Sequence, residues 1–175
     1  VRLAFHAAGE RNYHIFYQLL RGCKDEEHAK YEFHEGVTGG LDLPNYFHYT
    51  GQGGAPHLRE FTDESGYDYT KKAMRRLGWS EETIEQVFGA IAGLLHLGQI
   101  TFNSVEKDGL ETAEIADEKI LQYSARLLGV DLDRCRLALT ERIIVARDQE
   151  IKTQLTPERA IDARDALAKT IYGSL

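Results

Sequence analysis

A length of 175 residues, with 42% hydrophobic and 28% charged side chains, suits one domain with a sizeable core, and the composition argues against wholesale disorder. A net charge of −7 argues against a nucleic-acid surface, which needs clustered cations to neutralise phosphates. The densest basic group, Lys71–Lys72 with Arg75–Arg76, reads as the solvated face of a helix. Cys23 and Cys135 form no CxxC pair and fit free thiols in a reducing, cytosolic compartment. No apolar run reaches membrane-spanning length, and the first residues do not read as a signal peptide.

Val1 to Phe5 reads as a helix already under way, continuing through "GERNYHIFYQLLRG" to about Leu20, where Gly22 supplies a stop. Within it Ile15 and Leu19, and Phe16 and Leu20, repeat at four and define one buried stripe. A shorter segment follows through about Phe33. Gly36 to Pro56 is rich in glycine, with Tyr46, Phe47, His48 and Tyr49 interleaved, and predicts an ordered surface loop pinned by aromatics. Asp63 to Leu77 is helical, stopped by Gly78. Ser80 caps the next helix, whose first turn carries Glu81 and Glu82 and whose apolar positions are Ile84, Val87, Phe88, Ile91, Leu94 and Leu95. Ile100–Phe102 alternates like a short strand, and the polar run Asn103 to Glu114 predicts a loop. Two helices follow: one ends at Leu127-Leu128-Gly129, and the other starts near Asp131 or Asp133 and carries Leu137 and Leu139. The β-branched runs 143–145 and 151–153 predict a β-hairpin. Thr156-Pro157-Glu158 is a helix start, with a capping threonine and proline at the first helical position. Both ends look cut, since apolar patterning runs to Leu175.

Motifs for self-sufficient chemistry are absent. No GxxxxGK[ST] cradle occurs, and Gly51–Pro56 does not join a strand to a helix. His14, His28, His34, His48 and His57 lack the i,i+4 pairing with a carboxylate that zinc sites use, so they read as structural. No GxSxG elbow marks a nucleophile. Arg134 and Arg136 could lower the pKa of Cys135, although on an amphipathic helix this is more simply a small core residue.

Five blocks, in order, resemble the myosin motor domain. Gly9–Leu20 is similar to its GERN(F/Y)HIFYQLL signature, and Phe47–Gly54 to its YxYLNQGG loop. Ala73–Ser80 resembles AMxxLGFS, Ile91–Ile100 resembles IxAAILHLGNI, and Ala163–Tyr172 resembles ARDALAKxIY. The resemblance implies residues 1–175 of a partial motor domain, mainly α with a small β-hairpin, within the larger α/β P-loop NTPase head. It corresponds to most of the upper subdomain beside the actin-binding cleft. The family's GESGAGKT and SSRFGK loops would precede Val1 and its DIxGFE strand would follow Leu175, so ATP and Mg2+ would be bound by segments outside this stretch. No catalytic, cofactor-binding or metal residue is then expected within it. The aromatic and polar opening helix is expected to hydrogen-bond across subdomains.

The resemblance also implies an actin-activated ATPase of the cytoplasmic actin cytoskeleton, with F-actin, the remainder of the head, and light chains or calmodulin on a neck as partners. The hairpin, with Arg147, Asp148, Gln149, Glu150, Ile151 and Lys152, occupies the place of the family's actin-contacting cardiomyopathy loop. Family members often carry Thr, Glu, Asp or Ser sixteen residues before the first residue of the DALAK motif. Counting back from Asp165 gives Gln149, a departure from that pattern, though Asp148 and Glu150 flank it. Glu106, Lys107, Asp108 and Gly109 match the position of a second actin-side loop. The alternative reading is a free-standing helical interaction module on the same scaffold without motor activity.

Overall fold

A computed structural model describes residues 3–33, 42–58, 60–146 and 149–175, with the backbone alone described at 144–146 and 149–151. The helices are α1 (His14–Gly22), α2 (Asp25–Lys30), the one-turn α3 (Leu43–Tyr46) and α4 (His48–Gly51), α5 (Asp63–Arg76), α6 (Glu81–Gln99), α7 (Glu118–Leu128), α8 (Leu132–Thr140) and α9 (Pro157–Ser174). Two antiparallel hairpins interrupt them, β1 (Phe102–Lys107) with β2 (Leu110–Ile115), and β3 (Glu141–Ala146) with β4 (Gln149–Gln154).

The core is organised around α6, about 28 Å long at 1.5 Å per residue. Ser80 Oγ accepts from the Thr83 amide at 3.1 Å, as the cap pattern predicts. From Ile91 to Gly98 every residue of this helix is buried, so its second half is hydrophobic all round and the other elements wrap it. Gly93 lets α7 come close: a Cβ there would lie 2.8 Å from Leu128 Cγ, and its carbonyl accepts from Ser124 Oγ at 3.1 Å. His96, fully buried, sits among Phe33, Phe47 and Tyr123, with Nε2 2.8 Å from the Tyr31 carbonyl oxygen. Arg164 of α9 donates to the Ile100 carbonyl at 2.8 Å and to Asp165 at 2.9 Å, and Tyr49 donates to the same Asp165 carboxylate at 2.8 Å. That network clamps α9 to α4 and to the end of α6.

The opening stretch departs from expectation. Residues 3–13 are turns and irregular chain, and helix begins only at His14; Val1 and Arg2 lie outside the described residues. Gly9 turns the chain at φ +80°, a left-handed conformation that cannot continue a helix. Asn12 then ties the segment down: its amide nitrogen donates to the carbonyls of Leu3 at 2.8 Å and Tyr49 at 2.7 Å, and its oxygen accepts from the Tyr13 amide. The Asn12 amide donates to Tyr17 Oη, which in turn donates to the Thr50 carbonyl. Arg11 and Arg21 converge on Asp63 at the start of α5, at 2.5 and 2.7 Å, with all three side chains less than a tenth exposed. Arg11 also donates to the Pro56 carbonyl, Arg21 to that of Ala55, and the Arg11 guanidinium lies 3.9 Å over the Tyr17 ring. Asn12, Arg11, Tyr17 and Arg21 are thus hydrogen-bonded within the chain.

Three further expectations are corrected. Within Gly36–Pro56, residues 36–41 lie outside the described residues, but 42–56 form two helical turns whose Phe47 and Tyr49 are fully buried; it is core more than surface loop. Asn103–Glu114 is a hairpin, so the described residues hold two rather than one. Its charges conceal a strand alternation, and Asp108 and Gly109, both at positive φ, make the two-residue turn that joins such strands. Thr156 holds the N-cap position of α9 without a side-chain hydrogen bond, so Pro157 and Glu158 carry the start signal.

Two substitutions test this packing by equilibrium urea unfolding. Asp63→Asn leaves two buried guanidiniums without their counter-charge and is expected to lower stability by about 3–5 kcal/mol. Gly53→Ala drives a Cβ to within 2.0 Å of the Glu10 carbonyl oxygen; backbone cannot yield there, and the expected loss is about 1–3 kcal/mol. A midpoint within error of the parent for either variant would contradict the packing described.

Candidate functional site

The two hairpins adjoin at their roots. In β2 the Ala113 amide donates to the Leu155 carbonyl at 2.7 Å, and the Leu155 amide donates to the Thr140 carbonyl at 2.8 Å. Around these bonds Ala113, Leu155 and Ala160 form a small separate core with Phe102 and Ala163 packed on it. Between the roots lies a cleft of about 420 Å³ whose lining includes Glu114, Glu118, Arg136, Thr140 and Glu141. Arg136 spans it to pair with Glu118, one contact being 2.8 Å, and this hydrogen bond holds the Glu118 carboxyl below its ordinary range.

On the first hairpin, Glu106 and Glu111 stand directly opposite one another and are exposed. Like charges in that register destabilise a strand pair, and Ser104 Oγ offsets this by donating to Glu111 at 2.6 Å. Lys107 reaches Glu114 at 2.7 Å, so the tip's lysine is neutralised and Glu106, Asp108 and Glu111 leave it acidic. Gly109 completes the turn at φ +74°, and Leu110 beside it is 69% exposed.

On the second hairpin, Arg147 and Asp148 lie outside the described residues. The backbone pairs Gln149 with Ala146, Glu150 with Val145, and Ile151 with Ile144. Gln149 is thus the first residue of β4. Lys152, paired with Ile143, is exposed.

The glycine run is used for packing. The Gly51 amide donates to the Phe47 carbonyl and the Gly54 amide to that of Gly51, while the Gly53 carbonyl accepts from the Gly9 amide. Among the described residues no group of three or more His, Cys, Asp or Glu side chains is placed to hold a metal ion. Cys135 is buried, and burial raises its thiol pKa more than Arg136 lowers it, so it is a core residue. Burial, with the Glu27 carboxylate nearby, pushes Cys23 up to about 12. Sequence reading missed the Arg11–Asp63–Arg21 cluster, because only folding brings residues 11, 21 and 63 together; an aspartate opening a helix looks like a dipole-facing residue.

The model of the Myosin head (motor domain) family matches residues 1–175. Unconventional myosin-Ic of Danio rerio is 37% identical over 174 residues, covering 98% of this chain and 16% of that protein. Myosin-4 of Saccharomyces cerevisiae is also 37% identical over 174 residues, with 99% of this chain and 11% of the relative covered. Unconventional myosin-XV of Homo sapiens is 34% identical over 174 residues, covering 99% of this chain and 5% of the relative. The chain thus spans a small part of these relatives' length. With a family match from end to end and the five blocks in order, the chain belongs to the myosin head (motor domain) family.

Proposed function

We propose that this chain is most of the upper subdomain, beside the actin-binding cleft, of an actin-based cytoskeletal motor. The intact head would bind ATP and Mg2+ through loops outside residues 1–175 and couple hydrolysis to force on F-actin. Light chains or calmodulin would bind a neck beyond this stretch, and the protein would work in the cytoplasm on the actin cytoskeleton. The chain itself is scaffold. Its buried charge cluster, aromatic core and helix clamps link distant segments of the chain, which suits a rigid body that positions reactive loops supplied by other segments.

The observation that carries the reading is the hydrogen-bonded join between the hairpin roots, through Ala113, Leu155 and Thr140. It gathers the two segments that the family resemblance assigns to actin at one corner of the molecule. The hairpin bearing Arg147, Asp148, Gln149, Glu150, Ile151 and Lys152 is the stronger contact. The tip at Glu106, Lys107, Asp108 and Gly109 is acidic with its lysine paired, so against an acidic filament surface it adds little attraction.

Two measurements test this. The isolated chain is expected to show no magnesium-dependent ATP turnover; turnover stoichiometric with chain concentration would overturn the division into scaffold and reactive loops. In an intact head carrying this sequence, Gln149→Glu restores the acid that family members often carry at this place. It is expected to lower the actin concentration for half-maximal ATPase by roughly 1.4- to 5-fold, the range one exposed ion pair with a local cation of the filament supplies even where the surrounding surface is acidic. An unchanged actin dependence would place the hairpin end away from actin, or leave its flanking acids sufficient.

A further inference from the structure

The basic group of α5 divides into two pairs that face different ways. Lys71 is turned inward and paired with Glu27 at 2.8 Å, and Arg75 is paired with Glu81, one contact being 2.8 Å. Lys72 and Arg76, each one residue further on, are exposed, and among the described residues neither has an ion-pair partner. Two like charges four residues apart on one helix repel each other; the helix's C-terminal dipole and Asp68, one turn before Lys72, soften that repulsion without a direct ion pair. Between them the helix is apolar. Tyr69 is 65% exposed and Leu77 76%, and with Ala73 and the two cations they line a concavity of about 320 Å³. Phe61, half exposed, packs edge-on against Tyr69 at 6.4 Å and extends the patch. Large apolar side chains gathered on the outside of an otherwise polar helix, and rimmed by unpaired charge, mark an interaction surface.

We propose that this face of α5 docks a short acidic segment of another protein, one that places a large apolar side chain in the concavity and carboxylates against Lys72 and Arg76. The concavity has room for a side chain of that size, and the two cations flank it as a strip. A peptide matches a strip. A nucleic-acid backbone needs a longer basic track than two residues, and an anionic bilayer is a broad surface that Glu64 and Asp68 of the same helix, with the chain's net charge of −7, would repel. The proposal stands apart from the actin reading, and its test contains neither nucleotide nor actin.

The experiment is selection of a random phage-displayed peptide library on the immobilised 175-residue chain and on the intact head, followed by fluorescence-polarisation titration of the enriched peptides. The expected winners carry Asp or Glu beside Leu, Phe or Trp, and they bind more weakly as salt rises. Lys72→Glu with Arg76→Glu is expected to weaken them at least about tenfold, as loss of both charge partners requires. Tyr69→Ser is expected to weaken them also, while Lys24→Glu, on another exposed surface, leaves binding unchanged. All four positions are exposed, and circular dichroism melting checks that the variants fold. Peptides without acidic enrichment, or binding indifferent to the Lys72 and Arg76 changes, would overturn the proposal. So would co-sedimentation with phosphatidylserine vesicles, or concentration-dependent self-association, if lost in the same variants, since either gives this face to a different occupant.

Discussion

Two guanidiniums on one buried carboxylate tie α1 and the segment before it to the start of α5. Arg11 precedes α1, Arg21 lies in its last turn, and Asp63 opens α5; their side chains meet where less than a tenth of any of them is exposed. Burying three charges costs several kcal/mol per ion unless geometry and further hydrogen bonds compensate. Here the compensation comes from the Pro56 and Ala55 carbonyls and the face of Tyr17. The cluster therefore makes sense only if the 53–63 segment lies against α1 in one arrangement. It ties a polar, glycine-bearing segment to a helix that would otherwise leave its charged ends in water.

From that anchor the packing propagates through small residues and aromatic rings. Gly53 admits the Glu10 carbonyl, Gly22 admits the Tyr67 side chain, and Gly98 admits the Tyr49 ring. Each marks a place where two segments meet more closely than a side chain allows. The aromatic residues fill what remains: Tyr13 stacks on Tyr172 at 4.4 Å, joining the start of α1 to the end of α9. The family match and this packing agree on one physical picture. A body whose elements are tied by buried ion pairs and close packing is stiff, and stiffness lets loops held by different segments keep a fixed relation to one another. The two hairpins, in contrast, extend from this body on a small core of their own, where exposed side chains can meet a partner.

The contrast between paired and unpaired charge runs through the whole surface. Lys71, Arg75, Lys107 and Arg136 each have a carboxylate partner, and these pairs bridge neighbouring elements or strands. Lys72 and Arg76 lie one residue from the first two and among the described residues have none, which is why the helix they share serves both the fold and the proposed outer surface.

Much was legible in the residues taken one after another. Helices α5 to α9 follow from local signals: Ser80 and Asp131 as caps, Gly78 and Gly129 as stops, Pro157 at a first turn, and period-3.6 burial along α6. The hairpin at 141–154 follows from β-branched runs on either side of a polar turn, and family membership follows from five ordered blocks. These features depend on neighbours a few residues away. What only the tertiary structure decided depends on residues far apart in the chain. Residues 3–13 are irregular because Asn12 finds carbonyls at Leu3 and Tyr49. The run 103–114 is a hairpin whose strand Ala113 joins to Leu155. Phe47 and Tyr49 are core because α6 and α9 close over them. The two lysines and two arginines of α5 divide because Glu27 and Glu81 reach one pair and not the other. A local pattern reports propensity, but burial and hydrogen-bond partnership are set by which distant segments the closed chain brings into contact.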